Sequence, residues 1–365
     1  MTRDPMPWHD TTATPGDRAR ALLSVLTLDE KLAQLGSYWQ QEASGPDSIA
    51  ADTGAADEPG DVAPMEHVFA ADRGTFEDAA ARGLGHVTRV FGTSKVEASD
   101  GVAEVRRVQR HLIDHAPHGI PAILHEECLT GFTTYGATVY PAAIAWGATW
   151  DPALIERMAA TIGRDMRSVG VHQGLSPLLD VVRDYRWGRV EETIGEDPYL
   201  VGSLGTAYVK GLQSAGIVAT LKHFVGYSAS RAGRNHAPVS IGRRELADVL
   251  LAPFEMAVRE GGVRSVMNSY SDVDGVPAGA SHALLTEILR DEWGFEGTVV
   301  SDYWAVAFLD LVHKVAADRA RSGALALEAG MDVELPETDG FRRLGPLVES
   351  GSSPRPSSTV RCSAS

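Results

Sequence analysis

Four short apolar runs in this 365-residue chain end in side chains able to do acid–base or hydrogen-bonding chemistry, and a fifth cluster follows a similar run. Ile123-Leu124-His125 leads into Glu126 and Glu127. Ala219-Thr220-Leu221 leads into Lys222 and His223. Ser265-Val266-Met267 leads into Asn268 and Tyr270. Val299-Val300 leads into Asp302, Tyr303 and Trp304, and Asp180 precedes Arg186-Trp187-Gly188-Arg189. Together they offer carboxylates, two kinds of cation, an imidazole, an amide and aromatic rings. That set suits a polyhydroxylated ligand. Carboxylates accept from hydroxyls, Lys, Arg and His donate to them, and an aromatic face covers the C–H face of a sugar ring. A phosphate ligand would call for more cation and less acid. No pair of histidines stands at ligand spacing with an acid, so no metal is expected.

Each cluster also has an ordinary reading. Asp302 fits the N-cap of a following helix. Glu126-Glu127 fits a helix start, where acids suit the dipole. Arg189 with Glu191, Glu192 or Glu196 fits a surface ion-pair group, Lys222-His223 a solvated strand end, and Trp187 and Trp304 core or rim positions. What favours a shared mouth is recurrence: polar side chains follow an apolar run five times.

The elements that must position them alternate. Thr27-Leu28-Asp29-Glu30 fits a capping box and predicts a helix through Leu32, Leu35 and Trp39. Residues 41–64, rich in Ala, Gly, Asp and Pro, read as a surface loop. From Leu84 onward eight strand candidates appear: LGHVTRVFG, GIPAILHEE, YPAAIAWGA, VHQGLSPLLDVV, IVATLKHF, VRSVMNSY, TVVSD and MDVELP. Most are followed by helical patterns. One helix places Val105, Val108, Leu112 and Ile113 on one face. Another has Asp151 at its N-cap, Pro152 at its first position and Gly170 at its end. Others run over 198–216, 244–260 with a break at Pro253, 281–294 and 309–329. Alternating βα units imply a parallel sheet. Apolar strands with polar C-terminal ends point to an α/β fold, a (β/α)₈ TIM-type barrel. An open doubly wound sheet would usually carry G-x-G-x-x-G, which is absent. The expected organisation is a helical lead and loop over 1–83, the barrel over 84–350, and an irregular tail over 351–365.

Net charge is −16 with no basic run, which argues against nucleic acid as a partner. Cys128 and Cys362 are the only cysteines, too few for a disulfide framework or a zinc site. No apolar stretch is long enough to span a membrane, and MTRDPMPWHD has no signal-type apolar core, so a soluble, cytoplasmic protein is expected.

The segments LHEECLTGF, SPLLDVVRDYRWGRVEETIGEDPYLVG, ATLKHFVGYSASRAGRNHAPVS, SVMNSYSDVDGVPA, LRDEWGFEGTVVSDYWAV and LALEAGMDVELP together resemble the N-terminal barrel domain of glycoside hydrolase family three, over about residues 20–350. The resemblance implies a retaining, exo-acting β-glucosidase or β-xylosidase that takes a β-linked oligosaccharide or an aryl or alkyl glycoside and needs no cofactor. It implies Asp302 as nucleophile and Glu127, Arg189, Lys222 and His223 as binders of sugar hydroxyls, with Tyr270 and Trp304 as nearby aromatics. Tyr185 stands where the family usually has proline, a change expected to alter a turn.

The family's acid/base glutamate comes from a second, α/β sandwich domain that is expected to be missing here. Loss of a general acid typically costs about 10²–10⁴-fold, so weak turnover is expected. A branch of the family uses a His and an Asp in the loop after Lys-His. The matching loop GYSASRAGRNHAP lacks that pattern and leaves His236 as the alternative acid. The tail SSPRPSSTVRCSAS has no apolar period and reads as a frameshift, with a natural disordered tail as the alternative. A non-catalytic sugar-binding barrel or an inactive fragment is the alternative to an enzyme.

Overall fold

Parallel strands must be joined by crossovers, and the sequence supplies capped helices for them. A computed structural model describes residues 6–39 and 74–351. In it Asp151 Oδ1 accepts from Leu154 N at 3.0 Å, opening the helix Pro152–Ser168. Asp197 Oδ1 accepts from Leu200 N at 2.7 Å, opening Pro198–Ser214. Both have proline in the first turn, where its missing N–H costs nothing. Thr27 and Glu30 form the reciprocal capping box of the helix Leu28–Gln34. Ile155, Ile162 and Met166 bury one face of Pro152–Ser168, and Val105, Val108 and Leu112 that of Ala98–His115. Ile113, expected on the same stripe, is exposed.

The strands are β1 (Ser37–Trp39), β2 (His86–Thr88), β3 (Ile123–Glu126), β4 (Gln173–Gly174), β5 (Val218–Phe224), β6 (Ser265–Asn268), a small antiparallel hairpin of β7 (Asp272–Val273) and β8 (Val276–Pro277), and β9 (Thr298–Val300). All but the hairpin pair in parallel as one seven-stranded sheet, in chain order from β1 to β6 and then β9. Residues 332–338 close the ring. Val333 bridges Val300, and Ser301 N donates to Val333 O at 2.8 Å. On the other side Glu334 N donates to Leu35 O at 2.9 Å and Thr338 N to Ser37 O at 3.1 Å. MDVELP thus fills the eighth place of the barrel with bridging backbone.

Outward side chains such as Val87, Leu124, Ala219, Leu221, Val266 and Val299 pack under the helices in the main core. The inward side is polar. Thr88, His125 and Gln173 are in register on neighbouring strands. Gln173 Nε2 donates to Thr220 Oγ1 at 2.9 Å and to Ser265 Oγ at 3.0 Å. Above this layer lies a second cluster that includes Trp39, Trp187, Tyr227, Tyr270, Tyr303 and Trp304.

Three expected elements differ. Trp39 is in β1, because the helix Leu28–Gln34 stops short of it; a Cβ at Gly36 would come within 1.8 Å of Thr338 Oγ1. The sheet therefore begins within the stretch read as a lead. YPAAIAWGA is not a strand. Ala143–Gly147 is a short helix whose Trp146 stacks on Tyr208 at 5.2 Å; a brief apolar run does not itself distinguish helix from strand. The helix expected over 309–329 is two, Ala305–Leu311 and Arg319–Ala329. Before Pro253 the helix widens into a π-helical segment, Leu246–Leu251. The loop expected over 41–64 lies outside the described residues, as does the tail beyond 351. Among the described residues, no helix is long and apolar enough to cross a membrane.

Candidate active site

The C-terminal ends of β3, β5, β6 and β9 bring the polar groups together. Glu127 follows β3, and its Oε2 accepts from Lys222 Nζ at 2.8 Å. Lys222 and His223 lie within β5 and are buried. His223 Nδ1 is 2.8 Å from Asp180 Oδ2, which also accepts from His223 N at 3.1 Å. His223 Nε2 is 3.1 Å from Arg189 Nη1. Arg189 in turn grips Glu192 with Nε and Nη2, its shortest contact 2.6 Å. These partners assign the tautomer: the imidazole donates from Nδ1 to Asp180 and accepts at Nε2 from Arg189.

Asp302 leaves β9 into a tight turn. Its backbone N–H donates to Asn268 Oδ1 at 3.0 Å, and its Oδ1 accepts from Tyr303 N at 2.7 Å. Its Oδ2 has no hydrogen-bond partner among the described residues and is 3.6 Å from His223 Nε2. The next helix is capped by Trp304, held at φ 58°, with its N–H on Leu335 O at 2.9 Å. Asp302 is therefore not that helix's N-cap. The left-handed residue is a strained conformation that surrounding structure must hold in place.

Burial sets the charges. It raises Asp302 to about 6, against Arg189 and Lys222, which pull it down. Burial, Arg189 and Lys222 all keep His223 well below its ordinary value, so it is neutral. Burial works to raise Glu127, but Lys222, Arg89 and Arg189 outweigh it and hold the carboxyl below its ordinary value. Asp180 is raised to about 7 by burial, opposed by the His223 N–H and Arg189. Glu126 faces elsewhere: its Oε1 accepts from Phe91 N at 2.7 Å, and burial raises it to about 8.

The aromatics are buried around this group. Tyr270 donates its hydroxyl to Tyr303 O at 2.7 Å. Trp304 lies 5.6 Å from Trp39, centroid to centroid. Tyr303 reaches His125 Nε2 at 3.0 Å. His236 stacks parallel to Tyr227 at 6.4 Å and meets Tyr270 edge-on at 4.8 Å. Burial, with the charges of His313 and Arg189, lowers His236 to about 4, so it is neutral near pH 7. Its neighbour Asn235 accepts from Trp187 Nε1 at 3.0 Å. Tyr185 is exposed and hydrogen-bonds Glu196, in a turn closed by Trp187 N on Asp184 O at 3.0 Å.

The structure thus gathers Glu127, Arg189, Lys222, His223 and Asp302 into one contact network, with Tyr270 and Trp304 packed behind it. Sequence reasoning did not single out Tyr227, named Asp180 and Tyr303 without giving them a role, and offered Glu192 only as one of three ion-pair partners for Arg189, the one the structure shows. Asp180 and Glu192 flank Arg-Trp-Gly-Arg, so acids on either side of that motif were the available signal.

Residues 27–361 match the description "Glycosyl hydrolase family 3 N terminal domain". A β-xylosidase of Formosa agariphila is 45% identical over 231 residues, which cover 60% of this chain and 32% of the relative. A β-glucosidase of Rhizobium radiobacter is 39% identical over 197 residues, 54% of this chain and 22% of the relative. The chain thus spans about a third or less of these relatives' length. A β-glucosidase structure from Erythrobacter marinus superposes with TM-score 0.80 at 35% identity, covering 96% of this chain and 44% of that one. A Listeria innocua β-glucosidase in complex with glucose gives TM-score 0.76 at 29% identity, covering 93% and 44%. With its barrel, its network of strand-end residues and this match over nearly its whole length, the chain belongs to glycosyl hydrolase family 3, within that family's N-terminal domain.

Proposed function

We propose that this chain carries the nucleophile and the sugar-binding subsite of a retaining β-glycosidase acting on the non-reducing ends of β-glucosides or β-xylosides. The observation that carries this is Asp302 Oδ2, a buried carboxylate oxygen without a hydrogen-bond partner among the described residues, set beside Arg189, Lys222 and His223. The similarity to proteins described as β-xylosidase and β-glucosidase supports the same reading.

In a retaining mechanism one carboxylate attacks the anomeric carbon and the other carboxyl protonates the leaving oxygen. On this reading Asp302 Oδ2 forms the bond to the anomeric carbon as the bond to the leaving oxygen breaks, giving a glycosyl-aspartate. Water then attacks the anomeric carbon and releases Asp302. Arg189 and Lys222 keep Asp302 ionised for attack. Glu127 and Lys222 hold ring hydroxyls and strengthen their hold as positive charge develops on the sugar. The acid/base carboxyl belongs, on this reading, to the second domain that the family resemblance implies, and the barrel supplies the nucleophile and the sugar-binding groups.

The test is an activated aryl β-glucoside and β-xyloside, whose leaving groups need little protonation. The expected result is a burst of one aryl equivalent per chain, then slow turnover, with one anhydrosugar unit added to the peptide bearing Asp302. Sugar binding with no aryl release and no labelled peptide would overturn it in favour of a non-catalytic sugar-binding barrel.

A further inference from the structure

Tyr227 lies just after β5, in a single turn over Tyr227–Ala229 entered through Gly226 at φ 104°. Its side chain is fully buried. The ring meets His223 edge-on at 4.9 Å and Trp187 at 5.1 Å, and it contacts Tyr270 at 5.7 Å. The Arg189 guanidinium sits 5.7 Å from the ring centroid. The ring is thus enclosed by the groups that build the site.

Its hydroxyl makes no hydrogen bond of good geometry among the described residues; the Arg189 guanidinium approaches it but can only donate, so the phenol proton is left without an acceptor. A buried hydroxyl left unpaired costs about 1–3 kcal/mol, and buried polar groups are nearly always paired. The charges of Arg189 and Asp302 both act on this phenol, so it shares their space. Asp302 Oδ2, in the same network, also has no hydrogen-bond partner among the described residues. A sugar with several hydroxyls would pair both atoms at once: it would donate to the carboxylate and exchange a hydrogen bond with the phenol.

We infer that Tyr227 is a further substrate-contacting residue, whose phenol hydroxyl engages one hydroxyl of the sugar ring between Arg189 and Asp302. This inference rests on the proposed glycosidase reading and adds a contact to the same subsite. The aromatic ring packs the wall; the hydroxyl reads the ligand.

The experiment compares the full chain with Tyr227→Phe, measuring binding of D-glucose and of its 2-, 3-, 4- and 6-deoxy analogues by titration calorimetry, and thermal midpoints by calorimetry. The expected result is about tenfold weaker binding of glucose by the variant. For one deoxy analogue, the one lacking the hydroxyl that Tyr227 meets, parent and variant bind alike. The variant's thermal midpoint is equal to or above the parent's, because a buried phenol proton without an acceptor has been removed. Unchanged glucose affinity, an equal loss for every analogue, or a lowered midpoint overturns the inference and leaves the glycosidase reading standing. Failure of the parent to bind any of these sugars or D-xylose overturns both.

Discussion

His223 Nε2 stands 3.6 Å from Asp302 Oδ2, yet it carries no proton to give it. Asp180 accepts a hydrogen bond from Nδ1–H, and Arg189 donates to the Nε2 lone pair. A charged imidazolium at that distance would pair with the carboxylate and dull it in the proposed role of nucleophile. A neutral ring, held from both sides, leaves Oδ2 available. Asp180 and Arg189 thus act on Asp302 through the histidine between them.

Asp302→Asn is expected to abolish aryl release from activated glycosides, by roughly 10³-fold or more, while the barrel stays folded. Stopped-flow release and far-UV circular dichroism check both halves. A variant that releases aryl as fast as its parent would show the nucleophile to be elsewhere.

The acid limb of the burst rate is expected near pH 6, where Asp302 ionises. Burial raises that carboxyl and Lys222 lowers it, so removing the cation in Lys222→Met moves the limb to higher pH. A pH profile of each burst rate reads the shift directly. A limb that stays put or moves down contradicts the electrostatic account.

His86 sets a pH dependence of stability. Burial, helped by the charge of His172, lowers it from 6.5 to about 4 in the folded chain. Between those values the unfolded chain binds more protons, so stability rises with pH. The contribution of neutral His86 is complete above about pH 6.5 and is lost as pH falls through about 4. It amounts to on the order of 3 kcal/mol. His86→Gln is expected to flatten the fall in thermal midpoint between those pH values; an unchanged slope would assign the effect to other groups.

Glu334 is buried and accepts backbone N–H groups from Asp339, Gly340 and Phe341 at 2.9–3.0 Å. It anchors the turn that follows the closing segment of the barrel. Glu334→Ala leaves those donors unpaired and is expected to cost about 2–4 kcal/mol. Denaturant titration measures this, and Glu334→Gln should recover part of the loss by keeping one acceptor.

What was legible in the sequence was local chemistry. Asp151 with Pro152 and Thr27 with Glu30 announce helix starts because a cap needs only residues three apart. Polar groups after apolar runs announce strand ends, and Lys222 does meet Glu127 across 95 residues. Less legible was anything set by distant contacts. Trp39 fits a helical stripe as well as a strand until Thr338 is seen against Gly36. Asp180 looks like a loop acid until His223 is found on it, and the Arg189–Glu192 pair looks like a surface ion pair until Arg189 is seen to reach His223 as well. Tyr227 reads as an ordinary core tyrosine, since an unpaired hydroxyl leaves no mark on spacing.

The ring is sealed where Ser37 N meets Thr338 Oγ1, 301 residues apart in the chain, at 2.9 Å. Ribosomes extend a chain at about 5–20 residues per second, so roughly 15–60 s separate the synthesis of these two partners. Throughout that interval β1 offers a bare strand edge, and no local contact can cover it. Long-range closure of this kind also slows folding after release. Closure of the ring during synthesis therefore waits for the segment that carries Thr338, however stable the finished ring is.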